Sequence, residues 1–440
     1  MLERIEARLR EGALHIHDIL AAEGFRTYFA GGAVRDLLLN RRFNEIDIAT
    51  AAPPDVVERL FPRTVGVGRE FGVVVAVVGG TSYEIATFRA ESGYTDGRHP
   101  EHVRFTHARQ DALRRDFTVN ALFLDPVTGK VIDYTNGRKD LDRGLIRTVR
   151  DPLLTFGEDK LRVLRAIRFA CQLGFRIDGP TYDGVTRYAY RLSQISRERI
   201  RDELLKILCG PAPARGLSLL SDSGVLEEVL PEVFDMHGVM QPPAFHPEGD
   251  VFQHTRLMFS LGGNLSPALA LAVLLHDVGK PGTFAFGERI RFDGHAELGA
   301  RMAGDICRRL KLSGARIQRV VGLVKDHLRF MHVQQMREST LRRFLRTEGF
   351  EEHLELHRLD CLASHGDLSN YDFCREKLSE LDREALAPPP LINGHDLIAL
   401  GLKPGPLFSE ILKQAEDLQL EGILTARDDA LSWVRKTHGT

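Results

Sequence analysis

Two carboxylates two residues apart, Glu45 and Asp47, sit in the run Glu45–Ala49, whose composition predicts a β-strand. Residues i and i+2 of a strand share a face, so the pair can hold hard divalent cations in a two-metal site of the kind that drives phosphoryl transfer. Glu84, on the strand-like run Tyr83–Phe88, is a possible third carboxylate. About a dozen residues before Glu45, the pair Gly31-Gly32 separates a β-type run, Thr27–Ala30, from a run with helical spacing that includes Arg35. Glycines at such a junction let backbone N–H groups approach an anion, and a helix N-terminus favours negative charge. Arg114-Arg115-Asp116 opens an apolar stretch and suits phosphate or ribose contacts. Asp159 and Arg162 are three apart in a helical run, which predicts a shared face and an ion pair; Arg165 and Arg168 continue the stripe. A separate set comprises His254, His276-Asp277, His295, His327 and Asp360. Imidazoles and carboxylates at helix ends beside apolar residues suit transition metals.

The elements that carry these residues divide unevenly along the chain. Residues 1 to about 150 alternate helical and strand patterns, with strands expected at Glu45–Ala49, Val73–Val78, Tyr83–Phe88, Val103–Phe105, Ala121–Leu124 and Val131–Tyr134. From about Pro152 onward strands nearly vanish. The fold class is therefore α+β, a small sheet-bearing head followed by an all-helical remainder. Breaks fall at Gly210-Pro211-Ala212-Pro213, Gln241-Pro242-Pro243 and Ala387-Pro388-Pro389-Pro390. At 440 residues, with 43% apolar and 27% charged, the composition excludes a largely disordered chain. The longest apolar run, Leu269–Leu275, is far short of the ~20 residues of a membrane helix, and the first twenty residues predict an amphipathic helix instead of a signal peptide. Five cysteines without a CxxC pair argue against a disulfide framework or structural zinc, so a cytoplasmic location is expected. Net charge is only −2, so a polyanion must be met by local basic patches; Arg308–Arg346 carries eleven Lys/Arg against two acids.

Taken in order, the segments GGAVRD (31–36), EIDIAT (45–50), RRDFTVNAL (114–122) and GEDKLRVLRAIRF (157–169) resemble the bacterial and eukaryotic class of tRNA nucleotidyltransferases and poly(A) polymerases. That resemblance implies a polymerase-β-like nucleotidyltransferase head (1–150), an all-α neck with a base-reading template (151–235), an HD metal-phosphohydrolase-like domain (236–370) and a helical tail (371–440). It implies Glu45 and Asp47 as the catalytic carboxylates holding Mg²⁺, and Glu84, from its strand position, is the candidate third catalytic acid. The usual family pattern is Asp-x-Asp, from which Glu45 departs by one methylene. Nucleotide contacts carry over to Gly31, Gly32, Arg35, Arg114, Arg115, Asp116, Asp159, Arg162, Arg165 and Arg168. Asp159 and Arg162 would form the template: Arg donates and Asp accepts, which matches cytosine and adenine but not guanine or uracil.

The implied activity is addition of C and A to a tRNA 3′ end from CTP and ATP. An A-adding or CC-adding half-enzyme, a poly(A) polymerase and a degenerate tRNA-binding protein are the alternatives. The 24-residue stretch Ala90–Leu113 corresponds to a loop shortened in CC-adding members, and the mixed-charge segment Asp428–Lys436 contrasts with a basic polymerase tail. The second set of residues resembles an HD-type metal phosphohydrolase, with His254, His276, Asp277, His295, His327 and Asp360 around Mn²⁺, Ni²⁺, Co²⁺ or Fe²⁺.

Overall fold

The strand pattern of the first 150 residues folds into one mixed sheet and one short ribbon. The computed structural model describes residues 2–65, 71–93, 102–243, 246–381 and 386–438. They fall into two units, Met1–Phe234 and Asp235–Thr440. In the first, the strands are β1 (Thr27–Ala30), β2 (Asp47–Thr50), β3 (Thr64–Val65), β4 (Val73–Val78), β5 (Thr81–Thr87), β6 (Arg89–Ser92), β7 (His102–Phe105), β8 (Leu122–Leu124), β9 (Val131–Asp133) and a parallel pair, β10 (Leu145–Ile146) with β11 (Arg176–Ile177). The main sheet has the order β3-β4-β5-β2-β1-β8-β9, and β6 pairs with β7 separately. Residues 94–101 of the Ala90–Leu113 stretch lie outside the described residues.

Pairing decides where the chemistry-bearing residues meet. Antiparallel β1 and β2 end with Ala30 opposite Asp47, so Gly31, the next residue, abuts Asp47. Parallel β2 and β5 set Ile48 beside Ile85, which makes Asp47 and Glu84 neighbours one step earlier. The strand expected from Glu45 starts instead at Asp47. Its partner β1 stops at Ala30 and turns into the helix Gly31–Leu38, leaving Glu45 and Ile46 nothing to pair with. Helix Ala108–Arg114 packs Ala108 and Ala112 on a cluster of Tyr28, Phe88 and Phe123, whose rings lie 6.0–6.2 Å apart. That packing delivers Arg114 and Arg115 to the same end of the sheet.

Helical elements follow. Asp159 does not share a helix with Arg162. Helix Pro152–Glu158 ends there, Asp159 is extended (φ −141°), and a new helix runs Arg162–Leu173. The Asp159 carboxylate accepts from Leu161 N at 3.0 Å, a local bond that competes with helix continuation, and the expected Asp159–Arg162 ion pair does not form.

In the second unit the helix Pro267–Leu275, capped by Ser266, is apolar all round and buried from Leu269 to Leu275. It packs against helix Gly314–Asp326, with helices Val251–Leu261 and Phe350–Ala363 alongside. A separate cluster of Ile392, Leu397, Ile411, Ala415, Leu424, Ala430 and Val434 forms the core of the last helices. Among the described residues no helix is long and apolar enough to cross a membrane.

Within the basic stretch Arg308–Arg346, three arginines pair with acids distant in sequence. Arg319 pairs with Glu352, while Arg343 and Arg346 pair with Glu416. Those three side chains are therefore not free cations on a basic face.

Candidate active-site cleft and candidate metal centre

The first unit contains a cleft of about 950 Å³. Glu45, Asp47 and Glu84 line it with Gly31, Gly32, Arg35, Arg114, Arg115, Asp116, Asp159, Arg162, Arg165 and Arg168, so every head residue singled out from sequence reaches one cavity. Eleven basic and six acidic side chains face it, the balance expected for an anionic ligand that also brings cations. Gly31 is at φ +67°, and a Cβ there would sit 3.1 Å from both Asp47 Oδ2 and Arg115 Nη1. Only glycine takes that backbone conformation without strain while leaving the carboxylate room.

Electrostatics separate two of the cleft's acids, Asp47 and Asp116. Burial, reinforced by Glu84 and Glu45, raises the Asp47 carboxyl to about 6 against the pull of Arg115 and Arg35. Burial would raise Asp116 too, but Arg165 and Arg162 outweigh it and hold that carboxyl at about 2. Asp116 is structural in its contacts: it accepts from Phe117 N at 2.8 Å, Asn120 Nδ2 at 3.2 Å and Arg165 Nε at 2.8 Å. Arg35 donates to Asp36 and, at 2.6 Å, to Asn120 Oδ1; Arg114 and Arg115 both bond Asp111. Arg162 donates to Thr155 O, Glu158 Oε2 and Arg114 O at 3.1–3.2 Å, which fixes the plane of its guanidinium. Asp159 accepts from Arg199 at 2.9 Å. Arg168 bonds Glu203 at 2.6 Å, and Arg35, Arg165 and Arg168 all lie within 5.4 Å of the Phe169 ring centre. Asn120, Asp111, Phe169 and Arg199 were not singled out from sequence; Asn120 and Phe169 lie inside the quoted motifs, Asp111 and Arg199 outside them.

In the second unit all six residues expected as metal ligands converge. The groups His254, His276, Asp360 and Asp277, His295, His327 each present ligand atoms within 4.8 Å of one another. His276, His295 and His327 each place Nδ1 2.6–3.0 Å from the carbonyl three residues earlier. A carbonyl only accepts, so Nδ1 carries the proton and Nε2 presents its lone pair inward. Nε2 of His276 and His295 have no hydrogen-bond partner, yet lie 3.2 and 3.5 Å from Asp277. Lone pair facing carboxylate oxygen is unfavourable alone and is resolved by a cation between them, so this donor set fits a metal.

Burial alone would keep His254 neutral. The Asp360 carboxylate, 3.1 Å from its Nε2, and the hydrogen bond to Glu248 overcome it and push its pKa up to about 9, while burial drives His327 down to about 4. His246 and Glu248 were missed. Glu248 Oε1 bridges His246 Nδ1 and His254 Nδ1 at 2.9 and 2.6 Å, and the His-Pro-Glu segment eight residues before His254 was the available signal. Lys280, three residues after Asp277, contacts it at 2.6 Å.

Gly279 makes the centre possible. A Cβ there would lie 2.2 Å from His295 O and 2.7 Å from Gly299 N, both backbone atoms that cannot swing away. Gly279→Ala should therefore push helix His295–Arg309 off the centre and destabilise the second unit by about 3 kcal/mol or more. Denaturant unfolding that matches wild type would contradict that close approach.

Comparison with known proteins places the pieces. Residues 27–147 match the poly A polymerase head domain, 174–236 the probable RNA and SrmB-binding site of polymerase A, and 251–363 the HD domain. The cleft described above draws most of its lining from the first of these matched segments, and His254, His276, Asp277, His295, His327 and Asp360 all lie within the last. The chain is 45% identical over 218 residues to a CCA-adding enzyme of Bacillus pumilus (49% of this chain, 54% of the relative). It is 46% identical over 233 residues to one from a Geobacillus species (53% and 57%). Each match thus spans about half the length of the curated relative. The crystal structure of Bacillus stearothermophilus CCA-adding enzyme in complex with CTP aligns at TM-score 0.76 and 27% identity, covering 99% of this chain and 98% of that one.

Proposed function

We propose that this chain is a tRNA nucleotidyltransferase of the CCA-adding type, extending a tRNA 3′ end from CTP and ATP in the cytoplasm, with an appended HD phosphohydrolase. The observation that carries the reading is the meeting of Glu45, Asp47 and Glu84 at the edge of an arginine-lined cleft. Buried Asp47, its carboxyl raised toward 6 by its acidic neighbours, is an acid that a divalent cation would relieve. Mg²⁺ bound there supplies activation of the attacking hydroxyl and charge neutralisation of the departing pyrophosphate. The chain's own part is positioning. The helix N-terminus at Gly31-Gly32, with Arg35, cradles the triphosphate. Arg114 and Arg115, braced by Asp111, approach ribose and phosphate, and Arg165 and Arg168 add positive charge around Phe169. Similarity to CCA-adding enzymes and the RNA-binding match over 174–236 support tRNA as the acceptor. The division of labour we propose is head 1–150, neck 151–235, HD domain 236–370 and tail 371–440.

Base choice falls to Arg162 and Asp159. They come from opposite sides of a helix break, with Arg162 aimed by Thr155 O and Arg114 O and Asp159 held by Arg199. A site that hydrogen-bonds its ligand rejects analogues with unmatched groups. Arg162→Ala should lower the preference for CTP and ATP over UTP and GTP by about a hundredfold; an unchanged preference would leave Arg162 a structural brace.

The function itself is tested with tRNA ending at the discriminator base, at C and at CC, given CTP and ATP separately and together. Stepwise completion of CCA supports the proposal. Extension of only the CC-ended tRNA identifies an A-adding enzyme, and no extension in Mg²⁺ overturns it. For the HD domain we propose Mn²⁺, Ni²⁺, Co²⁺ or Fe²⁺, which supply activated water for phosphoester hydrolysis, with a 2′,3′-cyclic or terminal phosphate on damaged tRNA ends as the substrate. Removing that block would regenerate the hydroxyl extended by the head.

A further inference from the structure

An exposed ribbon rises from the edge of the histidine centre. Strands Ala285–Phe286 and Ile290–Arg291 pair antiparallel, with Ala285 opposite Arg291 and Phe286 opposite Ile290. Opposed residues share a face and side chains alternate along each strand. Phe286 and Ile290 therefore lie on one face, and Phe284 and Phe292, a pleat nearer the body, continue it with ring centres 5.9 Å apart. Ala285 and Arg291 take the other face.

At its foot this apolar face touches the centre. The Phe292 ring lies edge-on to His295 with centres 6.3 Å apart, and Lys280 Nζ is 5.2 Å from the Phe292 ring centre and 2.6 Å from Asp277. Exposure grows outward, from half-buried Phe292 to Phe284 at 44% and Phe286 at 79%. The ribbon's own packing does not account for the outer rings, since two short strands have no core in which to bury them. The span from the Phe284/Phe292 pair to the Phe286/Ile290 pair is about 7 Å, the scale of one nucleoside. Cation at the foot and bare rings above match a phosphate joined to a flat aromatic base.

We propose that the ribbon 284–292 holds the nucleobase of the phosphoester cleaved at the HD centre, Phe286 and Phe284 stacking on the base while Lys280 offsets the phosphate charge. The substrate class is then a nucleoside phosphoester, free or at an RNA end. This rests on the hydrolase reading of the HD domain. Stacking on a base is sequence-tolerant because every base has a π-face, so the ribbon accepts any tRNA terminus.

The test uses the whole protein, loaded with Mn²⁺, and guanosine compounds, which the head's template disfavours. Hydrolysis is measured for guanosine 2′,3′-cyclic phosphate, for a short RNA ending in that group, and for base-free 1-O-methylribose 2′,3′-cyclic phosphate. Affinity for guanosine 2′-monophosphate is measured by calorimetry. In Phe284→Ala/Phe286→Ala, both side chains being exposed, KM for a base-bearing substrate should rise about tenfold with kcat kept. The base-free substrate should be unaffected, and guanosine affinity should fall in parallel. Phe286→Tyr should behave as wild type. An effect on the RNA as well as the mononucleotide assigns the ribbon to RNA ends; an effect on the mononucleotide alone assigns it to free nucleotides. Unchanged guanosine KM and affinity, or an equal loss with the base-free substrate, overturns the ribbon's role. If wild type hydrolyses nothing, the hydrolase reading fails, while the calorimetric arm still decides whether the ribbon binds a base.

Discussion

Asp47→Asn should reduce nucleotide addition by about a thousandfold while making the protein more stable at neutral pH. The two effects share one cause. Burial beside Glu84 and Glu45 raises the Asp47 carboxyl from 3.8 to about 6, so the folded chain binds that proton more tightly than the unfolded chain. Stability from this group is then fullest below about pH 4 and is lost as pH rises through about 6. At about 1.4 kcal/mol per pH unit the ceiling is near 3 kcal/mol, and solvent reaching into the cleft lowers it to about 1–2 kcal/mol. The amide carries no charge, so the variant escapes this loss. Mg²⁺ should stabilise wild type more than the variant, which keeps Glu45 and Glu84 but lacks the carboxylate between them that gains most from a cation. Thermal unfolding at pH 4.5 and 7.5, with and without Mg²⁺, alongside extension of a CC-ended tRNA, reads all of this. A variant that melts earlier than wild type at pH 7.5, or that still extends tRNA within tenfold of it, would refute the assignment of Asp47.

Sequence carried the head's site further than its elements. Glu45 was expected on a strand and stands before it, because β1 ends at Ala30, yet it still lines the cleft. Alternation identified the residues, whereas the partner strand set the boundary. Asp159 shows the opposite failure. The helical pattern through 157–169 hid a break that one side-chain bond to Leu161 N creates, and the acid consequently pairs with Arg199, forty residues away. Charge counting along Arg308–Arg346 missed the pairing of Arg319, Arg343 and Arg346 for a related reason: Glu352 and Glu416 are distant in sequence and adjacent in space. In the HD domain the ligand types were legible, but the proton positions on His276, His295 and His327 come from backbone carbonyls that no sequence pattern displays.

His276→Ala should abolish transition-metal-dependent hydrolysis, by about a thousandfold or more, and leave Mg²⁺-dependent nucleotide addition unchanged. His276 supplies one of the buried Nε2 atoms aimed at the centre, and the head cleft draws none of its lining from residues beyond 211. Asp277→Ala should lose the same activity and, unlike His276→Ala, destabilise the second unit by about 3 kcal/mol. Its carboxylate is the counter-charge 2.6 Å from buried Lys280, and removing one partner of a buried pair strands the other. Asp277→Ala/Lys280→Met, which removes both charges, should recover most of that stability without recovering hydrolysis. The comparison separates a metal ligand from a structural ion pair. Hydrolysis of a generic phosphodiester and of cyclic-phosphate-ended tRNA is measured with Mn²⁺, Ni²⁺, Co²⁺ and Fe²⁺ in turn, beside denaturant unfolding and CCA addition. Equal hydrolysis by wild type and His276→Ala would show that the activity arises elsewhere. A fall in nucleotide addition in the folded His276→Ala protein would show that the two centres are coupled, contrary to the expectation from their separate ligand sets.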